Sequence, residues 1–519
     1  MNWRNRTYAV FTLCAAAAMA LPAQTFTTLH SFDGADGEYP IGALVQGVDG
    51  SLYGTTSYAG TKCNYPCGGT VFKIALGGTL TTLYDFCAKS ECLDGDGPNA
   101  LLLASDGSLY GTTFYGGANG LSTGPYSGYG TVFKITPAGK LTTLYSFCSQ
   151  SGCADGRDPE GLVQAANGDL YGTTGFGGIC PSTAGCGTVF KLTPGGTLTT
   201  LYNFCSQVAS NGICTDGEYP NPGLVLTGNG DLYGTTGFGG ANIGPEGVGG
   251  GTVFKIAASG AFTSLHSFCA QEPDGLCADG SYPRAGLVRA IDGDFYGTTW
   301  GFPSNSGTVF RITPGGTFTT LYTFCSESGC ADGDHPLGGL VQATDGNFYG
   351  TTTNGGPNTG YYGLGGGTVF SISPHGTLKT LYGFCSQGVN CADGEDSFAR
   401  LVQATNGDFY GTTAIGGTND SCTDAQNGTC GTAFSLSVGL GPFVRALPHS
   451  AKVGAVISIL GSDLAGTTGV SFNGTPAAYH IVSPAQLMAT VPAGATVGEI
   501  DVATPGGLLR SAGPFLVLP

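Results

Sequence analysis

In five loops between repeats this sequence sets an aspartate, a glycine and a second carboxylate in succession: Asp36-Gly37-Glu38, Asp94-Gly95-Asp96, Asp216-Gly217-Glu218, Asp332-Gly333-Asp334 and Asp393-Gly394-Glu395. Asp155-Gly156 and Asp279-Gly280 stand at matching places. Calcium takes hard oxygen ligands, so Asp36, Asp94, Asp155, Asp216, Asp279, Asp332 and Asp393 are candidate ligands for it. A plainer chemistry competes and is the stronger reading: aspartate before glycine stabilises a turn through its own side chain. Calcium is the one cofactor left open, and no other is expected.

Aromatic residues recur in a second pattern: Tyr58, Tyr115, Phe176, Phe238, and Trp300 with Phe302, while Asn354 and Ile415 break it. Such rings on a loop face could stack on sugars or on a partner protein. The alternative, which we favour, packs them under the loops between neighbouring units. Machinery for catalysis is sparse. The six histidines, His30, His266, His335, His375, His449 and His480, are scattered, and no Ser-His-Asp order, phosphate-binding glycine loop or histidine metal cluster can be argued. Arg157, Asp158, Arg284, Arg289 and Arg400 depart from the repeat pattern, as an asymmetric site would.

Of the 19 cysteines, all but Cys14 fall into local pairs. Cys87/Cys92, Cys148/Cys153, Cys205/Cys214, Cys269/Cys277, Cys325/Cys330 and Cys385/Cys391 follow one recurrent strand; Cys63/Cys67, Cys180/Cys186 and Cys422/Cys430 lie in another loop class. No Cys-x-x-Cys is present, so zinc is not indicated. In an exported chain these are nine disulfides, each closing a short loop and contributing about 2 kcal/mol.

The elements that carry these residues are set by a repeat. Tyr-Gly-Thr-Thr begins at Tyr53, Tyr110, Tyr171, Tyr233, Tyr296, Tyr349 and Tyr410, at intervals of 57, 61, 62, 63, 53 and 61 residues. In the unit around Tyr349, Gly339-Leu340-Val341-Gln342 precedes a turn at Asp345-Gly346. Asn347 to Thr352, Gly367 to Ile372 and Thr377 to Phe384 follow as short β-branched and aromatic runs. Asp-Gly or Asn-Gly before the tetrapeptide is a strong hairpin signal. Each unit therefore reads as four antiparallel strands, A to D. Four-stranded units in radial array are propeller blades. Thr25–Phe32 is a D strand without A to C, and the seventh unit, ending at Gly431–Leu436, lacks a D strand. The expectation is an all-β fold: a seven-bladed β-propeller over residues 24–440, closed by its N-terminal strand.

In such a unit the A–B and C–D turns share one face, and the B–C and D–A loops share the other. All the cysteine pairs and more than half of the 35 acidic residues fall on the loop face. The channel-proximal A-strand position reads Gln46, Leu103, Gln164, Leu226, Arg289, Gln342 and Gln403, without carboxylate or histidine. A net charge of −17 argues against a nucleic-acid partner.

Residues 1–23 carry Arg4 and Arg6, an apolar stretch and alanines at 18, 20 and 23, as a signal peptide does. Phe11-Thr12-Leu13 before Cys14 argues against lipidation. No later segment has the roughly 18 apolar residues of a membrane-spanning helix. Beyond residue 440 the cysteines stop, and residues 441–519 read as a small β-sandwich.

The pattern Asp-Gly-x-(Leu/Phe)-Tyr-Gly-Thr-Thr…Gly-Thr-Val-Phe-(Lys/Arg)-(Ile/Leu) over residues 25–440 resembles the GloVer tandem repeat of exported bacterial proteins, a family that brings no established activity. More loosely, it resembles NHL-type propellers. The tail resembles an IPT/TIG domain, through Gly454 to Gly461, Val470 to Gly474, Val491-Pro492 and Thr504 to Gly507. That resemblance implies an immunoglobulin-like module of extracellular proteins. The leading expectation is a secreted or cell-surface, monomeric, non-catalytic binding or adhesion protein. Its ligand would be an extracellular glycan or protein met on the loop face. The rivals are a propeller enzyme acting on glycans or lactones and a purely structural envelope protein.

Overall fold

A computed structural model of the chain describes residues 24–62, 67–120, 127–180, 186–244, 248–270, 277–301, 306–360, 363–388, 391–419, 422 and 429–518. The protein is all-β, with one antiparallel sheet per repeat and a smaller β domain after them. Helix among the described residues is confined to single 3-10 turns such as Ser90–Cys92 and Ser328–Cys330, inside cysteine loops. None of the sheets closes on itself.

The strands follow from the hairpin chemistry. In the sixth unit Val341–Gln342, Phe348–Thr352, Thr368–Ile372 and Leu378–Gly383 pair in chain order. Gly346 and Gly376 take φ of 83° and 88° in the two tight turns, which glycine adopts without steric cost. The A strands depart from the sequence reading. Asp96–Leu103 and Arg157–Gln164 run for eight residues, whereas Val45–Gln46, Val288–Arg289, Val341–Gln342 and Val402–Gln403 have only two. One residue of spacing explains this. Pro98 to Leu103 is a residue shorter than Pro40 to Gln46. The shorter segment stays on its B strand through one register shift between Pro98 and Leu101; the extra residue breaks the ladder. In the fourth unit it splits the A segment into Glu218–Pro220 and Val225–Leu226, giving that sheet five strands.

Thr25–Ser31 completes the seventh sheet. It runs antiparallel to Thr432–Ser437, from Thr25 opposite Ser437 to Ser31 opposite Thr432, and Phe32 N–H donates to Gly431 O. The seventh unit lacked a strand and the N-terminus had one spare.

Each residue of Tyr-Gly-Thr-Thr has a packing role. In four units the tyrosine hydroxyl donates to the turn aspartate, as in Tyr349 to Asp345 at 2.9 Å, and in the seventh Tyr410 Oη accepts from Asn406 Nδ2. The glycine leaves room for a C-strand phenylalanine; a Cβ on Gly350 would lie 2.7 Å from Phe370 Cζ. The first threonine bridges to the next sheet, with Thr173 donating to Asn221 O, Thr235 to Ala285 O and Thr298 to Gly338 O. The second pairs with a C-strand threonine at 2.8–3.0 Å in all seven sheets. Consecutive sheets share apolar cores, for example Tyr296, Val309 and Phe324 against Leu340, Phe348 and Phe370. The seventh sheet packs on the first in the same way, with Tyr410, Ala433 and Phe32 against Leu52, Phe72 and Ile74.

The C-terminal domain packs two four-stranded sheets around Ile457, Ile459, Val470, Phe472, Leu487 and Val502, with Ser450–Lys452 and Leu516–Leu518 as a further parallel pair. It docks on the tight-turn face. Phe443 N–H donates to Thr405 O at 3.0 Å, Thr405 and Ser462 hydroxyls meet at 3.1 Å, and Leu460 joins the core of the first two sheets.

Candidate functional site

Short stretches from all seven units line one central cavity of about 190 Å³. They approach closely because their inner residues are small: a Cβ on Gly223 would lie 2.9 Å from Gly286 Cα, and one on Gly338 2.8 Å from Ala399 O. The lining is asymmetric. Asn99, Arg284 and Arg400 supply polar groups, and Ile41, Leu337 and Phe398 supply apolar ones. A larger cleft of about 330 Å³ lies between two A–B turns and the C-terminal domain. It is lined mainly by aliphatic, amide and glycine groups with His449, so convergent charge favours the smaller cavity as the site.

Beside the cavity, one position in every unit is held at positive φ. These residues are Tyr39 (63°), Gly97 (65°), Asp158 (55°), Tyr219 (55°), Tyr282 (54°), His335 (57°) and Asp396 (58°). All but Asp396 precede a proline, where helical backbone is already disfavoured. Non-glycine residues held there cost of order 1–3 kcal/mol each, and such strain concentrates at functional sites. The strained side chains interleave with the recurrent aromatics. Tyr39 meets Tyr58 at 5.8 Å and Phe398 at 6.4 Å. Tyr219 lies between Phe176 at 4.5 Å and Phe238 at 5.3 Å, and His335 faces Trp300 at 5.9 Å. Arg157 stands 4.9 Å over Phe176, and Arg284 sits 5.0 Å from Phe238 and 5.2 Å from Trp300. The result is a belt of rings and guanidinium groups.

Burial raises several carboxylates beside the cavity, Glu160 and Asp396 the furthest. Glu160 accepts from Asn99 Nδ2 at 3.2 Å. Burial, and then the charge of Asp158, push it up to about 7. Burial likewise raises Asp158 to about 6 against the pull of Arg157. Arg284 is lowered by burial, with Glu160 opposing. Arg284 of the cavity wall thus lies within electrostatic reach of a carboxyl group raised to about 7, which Asn99 of the same wall holds.

Tyr58, Tyr115, Phe176, Phe238 and Trp300 are all half-buried, packed by neighbours yet reachable by solvent; Phe302 lies outside the described residues. The aspartates serve turns. Asp94, Asp155, Asp216, Asp279, Asp332 and Asp393 are buried at 2% exposure or less. Asp332 accepts from Tyr322 Oη, Ser326 N and Oγ, and Glu327 N at 2.8–3.2 Å. Asp36 meets His30 Nε2 at 2.6 Å. Eight expected cysteine pairs are disulfides: Cys87–Cys92, Cys148–Cys153, Cys180–Cys186, Cys205–Cys214, Cys269–Cys277, Cys325–Cys330, Cys385–Cys391 and Cys422–Cys430. Cys67 is also disulfide-bonded, and its expected partner Cys63 lies outside the described residues.

One expectation is corrected. The A-strand glutamines do not line the cavity, which is walled by residues a few positions earlier. They bracket neighbouring turns instead. Gln46 Oε1 accepts from Thr405 N, Gln342 Oε1 from Ile291 N and Gln403 Oε1 from Thr344 N. The departures Arg157, Asp158, Arg284 and Arg400 do converge near the cavity. Asn99, Glu160, Tyr39 and Tyr219 were missed, although the residues flanking the loop proline carried the signal.

Fold and site together define an all-β repeat protein with disulfide-bonded loops around a central cavity and an immunoglobulin-like domain on the opposite face. The pattern of the Gloeobacter/Verrucomicrobia repeat matches residues 14–212, 121–361 and 275–450, and that of the IPT/TIG domain residues 444–515. The chain belongs to the Gloeobacter/Verrucomicrobia repeat family and carries an IPT/TIG domain at its C-terminal side. No curated protein matches the sequence. Among solved structures, a fungal alcohol oxidase of the AA5 family, in complex with copper, is similar at 12% identity and a TM-score of 0.50, covering 95% of this chain and 99% of the oxidase. That likeness concerns the fold alone. The extracellular domain of BT3049 from B. thetaiotaomicron is similar at 11% identity and a TM-score of 0.45, covering 91% of this chain. The chain spans 51% of that domain's length. PorZ, a surface component of the type-IX secretion system of Porphyromonas gingivalis, is similar at 14% identity and a TM-score of 0.45, over 94% of this chain and 60% of PorZ. The disulfides fit an extracellular setting. Among the described residues no helix is long and apolar enough to cross a membrane.

Proposed function

We propose that the seven sheets are the blades of a β-propeller spanning residues 24–440, and that the protein is exported, with residues 1–23 as its signal peptide. On this reading it is a non-catalytic binding protein whose B–C/D–A loop face recognises an extracellular glycan or protein. The ring is supported by the cyclic order of sheet contacts, seventh on first. The observation that carries the functional reading is the belt of Tyr39, Tyr58, Phe176, Tyr219, Phe238 and Trp300, with Arg157 and Arg284 over it, around one small cavity. A volume of about 190 Å³ falls below the roughly 300–1,000 Å³ of drug-sized ligand pockets. The cavity therefore suits one terminal group, and the belt suits the rest of a longer ligand. Because the C-terminal domain covers much of the turn face, the loop face is the open one.

Glycan-array screening of the purified mature protein, with and without calcium, followed by calorimetry on hits, tests this. Tyr58→Ala, Tyr115→Ala and Trp300→Ala are each expected to weaken binding at least tenfold. If they lower only the melting temperature, leaving affinity in the folded fraction unchanged, the belt is packing and the reading fails. One observation favours catalysis as a second reading: Glu160 titrates near 7, the range of a general acid or base. Turnover of a glycan or lactone that Glu160→Gln abolishes would establish it. The oxidase's copper is not carried over, because the cavity lining lacks the imidazole and thiolate ligands that copper favours.

A further inference from the structure

The larger cleft, of about 330 Å³, lies where the C-terminal domain meets the A–B turns of the third and fourth units. That domain seats tightly elsewhere. Leu460 is buried in the core of the first two sheets, and Ser462 meets Thr405 of the seventh unit. Over the third and fourth units it leaves a gap. Ala165 is only half-buried there, whereas its counterparts Ala104, Ala290, Ala343 and Ala404 are buried. Val163 and Leu226 from the repeats, and Leu516 and Leu518 from the strand Leu516–Leu518, line the gap and are half-buried as well.

The repeat provides an internal reference for the polar groups of this cleft. Tyr171 opens the tetrapeptide of the third unit, and it alone among the seven tetrapeptide tyrosines is not buried. Four of the others donate to a turn aspartate. The third unit has Asn167 in that place, and Asn167 Nδ2 donates to Asp169 Oδ2 instead. The Tyr171 hydroxyl is left without a hydrogen-bond partner among the described residues. Gln164 departs in the same way. Gln46, Gln342 and Gln403 each donate Nε2 to a turn glycine carbonyl at 3.2 Å. Gln164 Oε1 accepts from Ser105 N, but its Nε2 donates to no group among the described residues. Ser450 Oγ, from the C-terminal domain, is likewise unpartnered among them. One amide and two hydroxyls, contributed by both domains, therefore open on a largely aliphatic cleft. No carboxylate, ammonium or guanidinium group lines it, and His449 at its edge is exposed to solvent.

A charged ligand would lose hydration here with no opposite charge to meet it. An apolar wall with a few convergent polar groups at a domain junction is the usual make-up of a small-molecule site, and the volume reaches the lower end of the roughly 300–1,000 Å³ of such pockets. We propose that this cleft is a second binding site, separate from the loop face, for a small uncharged ligand with an apolar ring-sized body and a carbonyl or hydroxyl oxygen. The body packs on Val163, Leu226, Leu516 and Leu518, and the oxygen accepts from the Tyr171 hydroxyl, with Gln164 Nε2 and Ser450 Oγ as further donors. Because the walls come from both domains, an occupant clamps the IPT/TIG domain onto the repeats.

The test uses the full mature protein at about pH 8, where an ordinary imidazole is neutral, with four probes that share one ring and differ in charge. Benzamide and benzyl alcohol are uncharged; benzoate and benzylammonium are not. Glucose serves as an uncharged probe without an apolar body. Benzamide and benzyl alcohol are expected to bind in ligand-observed NMR with millimolar dissociation constants and to raise the melting temperature with concentration. The other three should do neither. Tyr171→Phe removes a hydroxyl that has no partner in the fold, so the ligand-free melting temperature should not change while benzamide binding weakens about two- to tenfold. Tyr349→Phe loses its bond to Asp345 and should do the reverse. Ala165→Leu fills the cleft and should abolish binding. A crystal soaked with 4-bromobenzamide should place the bromine between Leu226 and Leu516. The site is overturned if neither neutral probe binds, if benzoate or benzylammonium binds equally, if Tyr171→Phe and Ala165→Leu both leave binding intact, or if the bromine lies elsewhere. Trp300→Ala should leave benzamide binding unchanged, so this site and the loop-face reading stand or fall separately.

Discussion

Replacing Asp332 by alanine separates the two chemistries that the Asp-Gly pattern allows. Asp332 is fully buried and accepts four hydrogen bonds from its own loop, two from backbone N–H groups and two from the hydroxyls of Tyr322 and Ser326. A hydrogen bond to a charged group contributes about 1.5–3 kcal/mol, and each buried donor left without an acceptor costs about 1–3 kcal/mol. The four bonds share one carboxylate, so their losses do not add; a net loss of about 3 kcal/mol is expected. Unfolding entropy is about 2.1 cal/mol/K per residue, or roughly 0.9 kcal/mol/K over the roughly 400 residues of the repeats. Unfolding as one unit then predicts a fall of about 3–4 °C in melting temperature for Asp332→Ala, and about 1 °C for Tyr322→Phe, which removes one donor. Differential scanning calorimetry of the disulfide-intact protein measures both. The wild type should melt at the same temperature in EDTA and in calcium. A calcium-dependent rise that Asp332→Ala abolishes, or an unchanged melting temperature for that variant, would refute the turn reading.

Stability should also depend on pH in a stated direction. Burial holds Glu160 and Asp396 up at about 7, and Asp96 and Asp158 at about 6. Between ordinary carboxylate values and these raised ones the native state binds more protons than the unfolded chain, so stability falls as pH rises from about 5 to about 7. Asp49, Asp106 and Asp231, held low with help from Lys73, Lys134 and Lys255, act oppositely, and their contribution is lost as pH falls below the usual carboxylate range. Thermal melts should therefore peak on the acid side of neutrality, and Glu160→Gln should flatten the decline; a maximum above pH 7 would contradict the assignment. Gly297→Ala should cost about 1–3 kcal/mol by overpacking, since its Cβ would sit 2.5 Å from Phe310 Cζ and 3.1 Å from Leu287 Cδ2. Gly315→Ala in the C–D turn, whose Cβ would meet nothing nearer than 3.9 Å, should stay within about 0.5 kcal/mol in chemical denaturation.

Local chemistry fixed most of what could be read along the chain. Asn-Gly and Asp-Gly set the hairpins, and spacing within each loop paired the cysteines. The spare N-terminal strand and the strandless seventh unit required each other because an open sheet edge leaves backbone groups unpaired. The place of Tyr58, Phe176 and Trp300 after the tetrapeptide was legible, but their stacking on Arg157, Arg284 and the strained pre-proline residues was not. Some of those contacts cross between strands of one unit, as Arg157 with Phe176 does, and others, such as Phe176 with Tyr219 and Phe238 with Arg284, join neighbouring units. Only the packed sheets decided that Asn99, Arg284 and Arg400 meet in one cavity, because each comes from a different unit and the inner wall is set by how closely Gly223, Gly286 and Gly338 let the sheets approach. The glutamines that looked channel-proximal turned to the neighbouring turns, where they accept from backbone N–H groups. Arg445 donates to Gln403 O for a reason no local pattern encodes: the IPT/TIG domain docks on a face built from the A–B turns of separate repeats, and that face exists only after the sheets have packed side by side.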